Sequence, residues 1–155
     1  MSSPLAVLGR IPSGIFILTS GTGEQATGML ASWVMQSGFD PPMVTVAVRH
    51  GRYVGDWLTA GQPFALNVVA ADQHRLLKHF AKGFEPGEPA FDGLQTVSGT
   101  LGPTLLVDAV GHLECRPKGH VDSGDHRVFL AEVVAGRLQG DAAPMVHIRT
   151  SGSHY

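Results

Sequence analysis

The sequence predicts a mainly β domain, a closed antiparallel barrel with a few peripheral helices. Three observations lead there. The 155 residues include 20 glycines and 10 prolines, and these punctuate the chain about every eight to twelve residues, the spacing of short strands and turns. Between the breaks the runs are apolar and rich in β-branched residues: "IFILT", "MVTVAV", "FALNVV" and "HRVFLAEVV". Only two stretches look helical. A barrel suits this set because closure removes exposed strand edges.

In chain order, Ile15–Thr19 is a short apolar strand, and "SGTGEQ" turns it into a second strand over Ala26–Val34. Met43–Val48 is the third, entered through the rigid Pro41-Pro42 pair. Val54–Ala60 forms a short helix closed by Gly61, and Phe64–Val69 returns as a strand. Ala71–Ala81 is the strongest helix: Asp72 is placed to cap it, Leu76, Leu77 and Phe80 share a face, and Gly83 ends it. Lys82–Asp92 is a polar loop with Pro and Gly. Ala109–Arg116 and His126–Val134 are the last strands, and the second alternates well enough to have one dry face. With no repeat, low-complexity tract or linker, residues 1–155 read as a single domain.

Charged residues make up 15% of the chain, against about a quarter in an ordinary globular domain. A foldable chain with so little surface charge implies a covered surface, most simply against a second copy. The formal charge of −2 offers no basic field for nucleic acid. Cys115 stands alone, which rules out an intrachain disulfide and points to a reducing, cytoplasmic setting. "MSSPLAVLGR" lacks the signature of a secretory leader. No segment approaches the roughly 20 apolar residues of a membrane span.

Four patterns invite a chemical reading. "GTGEQA", Gly21–Ala26, matches a loose dinucleotide fingerprint, with Asp40 at a suggestive distance. That fingerprint must open a helix facing pyrophosphate, and too little chain follows for a βαβ unit; a hairpin turn fits better. His112, Cys115, His120 and His126 resemble a zinc set, but in a strand His112 and Cys115 point to opposite faces. A hydrolytic triad from Ser32 or Ser37, His126 and Asp125 lacks a nucleophile elbow. Asp125, next to His126, would also point away from it in a strand.

The fourth is "ASWVMQS". A flavin presents a flat apolar ring with donors and acceptors at its rim, then a polyol and, in FMN, a phosphate dianion. It needs apolar surface, free backbone N–H groups, short polar side chains and a cation. Ala31, Ser32 and Trp33 offer ring contacts, Gln36 and Ser37 suit the polyol and phosphate, and Arg49 and Arg52 of "RHGR" supply cations. On the residues alone, an ordinary strand leading to a loop with solvated arginines stands beside this reading. "SGDH", Ser123–His126, is a hairpin turn that presents His126 at a strand mouth, where an imidazole can meet a ring edge. The closing "RTSGSHY" reads as a frayed tail, or as one in which His154 and Tyr155 dock across a dimer.

"SGIFILTS", "TGMLASWVMQSGFDPPMVTVAV", "FALNVVAADQHRLLKHFA", "LECRP" and "SGDHRVFLAEV" occur in the order seen in flavin reductase-like proteins. The chain resembles that family of FMN-binding split barrels over nearly its whole length. "MLASWV", "KHF" and "SGSHY" are most similar to the C-terminal flavin reductase domain of the flavodiiron proteins of oxygenic phototrophs. The resemblance implies a homodimer in which Ala31, Ser32 and Trp33 line the isoalloxazine. It implies that Gln36 and Ser37 face the ribityl–phosphate and that Arg49 or Arg52 neutralises the phosphate. Asn67 and the "HFA" of His79, Phe80 and Ala81 would sit near the cofactor, and His126 would approach flavin or nicotinamide. The sequence departs from many members at Trp33 and Met35, where smaller residues are common. The implied activity is an NADH- or NADPH-dependent flavin oxidoreductase holding FMN, or FAD, and passing electrons to a flavin, iron, oxygen or a redox protein partner. The alternatives are a flavin-binding carrier or relay without turnover, and a small barrel that only mediates association.

Overall fold

The structure is a computed structural model that describes residues 3–155. Its centre is a seven-stranded antiparallel sheet, curled around one core. The elements are α1 (Pro4–Leu8), β1 (Ser13–Gly14), β2 (Phe16–Ser20), β3 (Thr27–Ala31), β4 (Val34–Phe39), β5 (Pro42–Arg49) and α2 (Tyr53–Thr59). There follow β6 (Phe64–Val68), α3 (His74–Ala81), β7 (Thr96–Ser98), β8 (Thr104–Leu106), β9 (Gly111–Ser123), β10 (His126–Leu138) and β11 (Val146–His147). The large sheet runs β3-β2-β6-β9-β10-β5-β4, and two-stranded ribbons β1-β11 and β7-β8 lie beside it. The mainly β expectation holds.

The order also shows where the barrel is split. β3 and β4 follow each other in the chain, yet they sit at opposite ends of the sheet order. The single strand expected over Ala26–Val34 is therefore two strands. The first pairs with β2 and the second with β5, and Ser32 and Trp33 cross between them. "GTGEQA" is the turn of the β2–β3 hairpin, whose register closes Ser20 on Thr27.

Burial explains the two kinds of strand in the sequence. Leu18 and Leu66 point into the barrel with Val46, Phe64 and Phe129, while Val54 and Leu58 of α2 plug its end. Ile17 faces the other way, into a second cluster with Val69, Phe80 and Leu106 beneath α3. β2 and β6 are thus covered on both faces and read as largely apolar runs. In β5, buried Val44, Val46 and Val48 alternate with more exposed Thr45 and Ala47, because its outer face is uncovered.

α3 packs so closely on β3 that a Cβ at Gly28 would lie 2.7 Å from the Phe80 ring. The helix starts at His74, and Asp72 does not cap it. Residues before it are tied elsewhere: Ala71 N–H donates to the Ala143 carbonyl, and the Gln73 side-chain oxygen accepts from Ala70 N–H at 2.8 Å. The last two long strands run further than expected, 13 residues each. Bulges between Leu130 and Ala131 and between Val133 and Ala135 break their alternation.

Candidate functional site

A cavity of about 590 Å³ opens where the barrel is split, within the range of about 300–1,000 Å³ usual for ligand pockets. Met29, Leu30 and Ala31 all line it, although alternate residues of β3 point to opposite faces. The cavity therefore runs along the free edge of β3, which pairs only with β2. An edge strand leaves backbone donors and acceptors unpaired. At the crossing the Trp33 carbonyl accepts from Ala47 N–H, while no backbone carbonyl receives the N–H of Ser32 or Trp33 among the described residues. The broken strand supplies free donors beside an apolar wall.

That wall is Ile15, Met29, Leu77, Phe80 and Met145; the polar side is Ser32, Arg52, His74, His147 and Tyr155. His74, Leu77 and Ala81 reach the cavity from α3 at helical spacing, one face of the helix. His126 sits just behind Trp33, 8% exposed, with ring centroids 4.6 Å apart. The Tyr155 ring packs at a tilt 5.1 Å from Trp33 and edge-on 5.6 Å from His126. The guanidinium of Arg149 lies 5.3 Å over the Trp33 ring.

His126 is held at both nitrogens. Its Nδ1 is 2.6 Å from Asp125 Oδ1, and its Nε2 bonds the Tyr155 hydroxyl. A carboxylate only accepts, so Nδ1 carries the proton, and in the neutral ring Nε2 is the acceptor for the phenol O–H. The hydrogen bond from His126 holds the Asp125 carboxyl below its ordinary range, with help from the Arg49 charge. Burial raises the Tyr155 phenol above its ordinary value, partly offset by Arg52 and Arg49. Asp125 thus departs from the expectation that it points away from His126. It lies in the turn before β10, where strand alternation does not apply.

Of the expected residues, the cavity brings together Ala31, Ser32, Trp33, Arg52, Phe80, Ala81 and Tyr155, with His126 behind them. The others lie outside its lining. Gln36 and Ser37 are carried onto exposed β4, where the Gln36 amide donates to the Gly38 carbonyl. Arg49 is exposed at the end of β5, opposite His126 in register. Asn67 is buried in β6: its amide donates to the Ile17 carbonyl at 3.0 Å and its oxygen accepts from Leu106 N–H at 2.9 Å. His79 bonds the Ala90 carbonyl at 2.7 Å, on the far side of α3. His154 is exposed, and the tail rests on its own chain through Tyr155 rather than fraying. His74 went unread although its spacing with Leu77 was available. His147 belongs to a ribbon too short to signal itself, and Met145 directly precedes it.

A family profile described as "Flavin reductase like domain" matches residues 8–153. The chain is 37% identical over 150 residues to diflavin flavoprotein A 1 of Synechocystis sp., covering 96% of this chain and 26% of that protein. It is 39% identical to the putative diflavin flavoprotein A 6 of Nostoc sp., with the same coverage. It thus spans about a quarter of the length of these curated relatives. Among solved structures, an NADH:FAD oxidoreductase of Streptomyces globisporus C-1027 superimposes with a TM-score of 0.85 at 32% identity, over 92% of this chain and 85% of that one. The same oxidoreductase in complex with NAD and FAD fragments gives 0.82 at 30% identity, over 95% of this chain and 86% of that one.

Proposed function

The chain belongs to the flavin reductase like domain family, and we propose that it is an NAD(P)H:flavin oxidoreductase that binds FMN along the free edge of β3. The observation that carries this reading is the coincidence, in one cavity, of an apolar wall, free backbone donors at Ser32–Trp33 and the cation Arg52. A flat ring with an anionic tail needs all three, so the residues present fit the group. When bound, the flavin supplies the chemistry: it accepts a hydride from a nicotinamide and releases electrons to a flavin, iron, oxygen or protein acceptor. The protein's residues bind and orient. Ala31 and Leu77 give the ring an apolar seat, and Ser32 and Trp33 N–H groups are aimed at its rim. Arg52 meets the phosphate with a charge-assisted bond. Trp33 with its stacked partners excludes water from the cavity mouth.

The active form in this reading is a homodimer. The outer face of β4, β5, β10 and β9 sets Met35, Leu130 and Val121 in the open, 66%, 40% and 61% exposed. Registers place Met35, Thr45 and Leu130 in one row. Ala47, on the same face, also lines the cavity, so a second copy would border the site. A cytoplasmic setting accords with a lone, buried Cys115.

The test is anaerobic mixing of the purified protein with FMN and NADH or NADPH. Bleaching of the flavin with either nicotinamide is the expected result, and none with both rejects the reductase. Retained FMN without bleaching points instead to a carrier, a reading favoured by the ring stack that covers Trp33.

A further inference from the structure

We propose that Arg149–Tyr155 forms a latch in which Tyr155 stands in for an incoming nicotinamide. Its hydroxyl occupies the acceptor of His126, its ring occupies the place beside Trp33, and the ligand enters by displacing it. The inference rests on the nicotinamide-dependent reading above.

The segment is anchored at its base. β11 pairs with β1, Arg149 N–H donates to the Gly9 carbonyl at 2.9 Å, and Gly152 N–H donates to the Leu5 carbonyl at 2.6 Å. The Arg149 guanidinium donates to the carbonyls of Leu8 and His154. The backbones approach so closely that a Cβ at Gly9 would lie 2.6 Å from Ser151 N, and one at Gly152 2.5 Å from Leu8 Cβ. The two glycines seat the segment on α1.

Past Gly152 the hold is light. Ser153 and His154 are exposed, and Tyr155 is 48% exposed. It is kept in place by one hydrogen bond and by its ring contacts with Trp33 and His126. Ser153 is tied back to Ser151 and the His154 carbonyl to Arg149, so Tyr155 alone can swing out beyond His154 without disturbing α1 or the sheet.

The polarity of His126 selects what replaces it. Asp125 accepts the hydrogen bond from Nδ1–H, so Nε2 presents its lone pair to the Tyr155 hydroxyl. A group that succeeds a phenol there must join a hydrogen-bond donor to a planar ring. The carboxamide of nicotinamide does both: its N–H₂ donates and its ring stacks. Asp125 is the positioning residue, since loss of its carboxylate frees the imidazole to take the opposite tautomer.

The Tyr155→Phe variant keeps the ring and removes the hydroxyl. Its KM for NADH or NADPH, measured at saturating flavin, should fall by about threefold to tenfold, the worth of one neutral hydrogen bond. A KM equal to or above that of the wild type, or a change confined to flavin Kd, overturns the latch. Nitrogen NMR of the imidazoles in the free protein gives a second readout. His126 should carry its proton on Nδ1, the Nε2 resonance should move in Tyr155→Phe, and Asp125→Asn should mix the tautomers. A wild-type ring protonated at Nε2 also overturns the proposal. Absence of nicotinamide oxidation in wild type and variant alike, with the His126 tautomer as described, overturns the reductase reading and with it the entrant.

Discussion

Arg52 borders the cavity, whereas Arg49, only three positions earlier, is exposed at the end of β5. Arg52→Ala should therefore weaken FMN binding by about tenfold or more, the scale of a charge-assisted hydrogen bond. Arg52→Lys should recover part of this, and riboflavin, which has no phosphate, should bind both variants nearly alike; flavin fluorescence titration measures all three. The docked Tyr155 gives a pH prediction. Burial raises its phenol above the ordinary tyrosine value, an effect that the Arg52 and Arg49 charges oppose and the Asp125 charge reinforces. A raised value means that docking is fully favoured below the ordinary tyrosine pKa and is lost as pH rises through the folded one. The depressed Asp125 works at the other end, contributing above about pH 4 and fading as pH falls through its folded value. The phenolate absorbance of wild type minus Tyr155→Phe should thus rise at a higher pH than that of a free tyrosine. Residue roles were the least legible part of the sequence. Asn67 and His79 carry the right chemistry for a ligand, but buried backbone groups claimed their hydrogen bonds first. Asp125 bonds His126 because it lies in a turn, where strand alternation does not govern side-chain direction.

At the scale of elements, the docking of α3 on β3 depends on the missing side chain at Gly28, where a Cβ would stand 2.7 Å from Phe80. Gly28→Val should cost about 1–3 kcal/mol by overpacking, read as a lower urea midpoint, and should loosen the apolar wall that Phe80 gives the cavity. Cys115 on β9 reports the opening of the sheet. Burial pushes its thiol up to about 12, and the neighbouring Glu114 charge adds to this. Thiol reagents at neutral pH should label it only as fast as the sheet opens. The elements most legible in the sequence are those whose packing leaves a pattern: β2 and β6, mostly apolar because both faces are covered, and α2, ended by Gly61. β7, β8 and β11 hold two or three residues each, too few for any period to show. β9 and β10 were cut short in the reading because bulges reset their alternation.

For the whole molecule, the uncovered outer face of β4, β5, β10 and β9 accounts for the low charge of the chain. Met35→Glu with Leu130→Lys should turn the proposed dimer into monomers of wild-type secondary structure, by light scattering and circular dichroism. Flavin retention should fall with it if the second copy borders the site. The overall architecture could be read because so many strands must bury one face or two, but the place of the split could not. A strand that changes neighbours half-way along keeps the same apolar run on both sides of the change. Only Ser32 and Trp33 carry the chain from one margin of the sheet to the other. β3 and β4 share no rungs, so these margins can part slightly to admit a flat guest and close on it again, and no inter-strand bond anywhere need be given up.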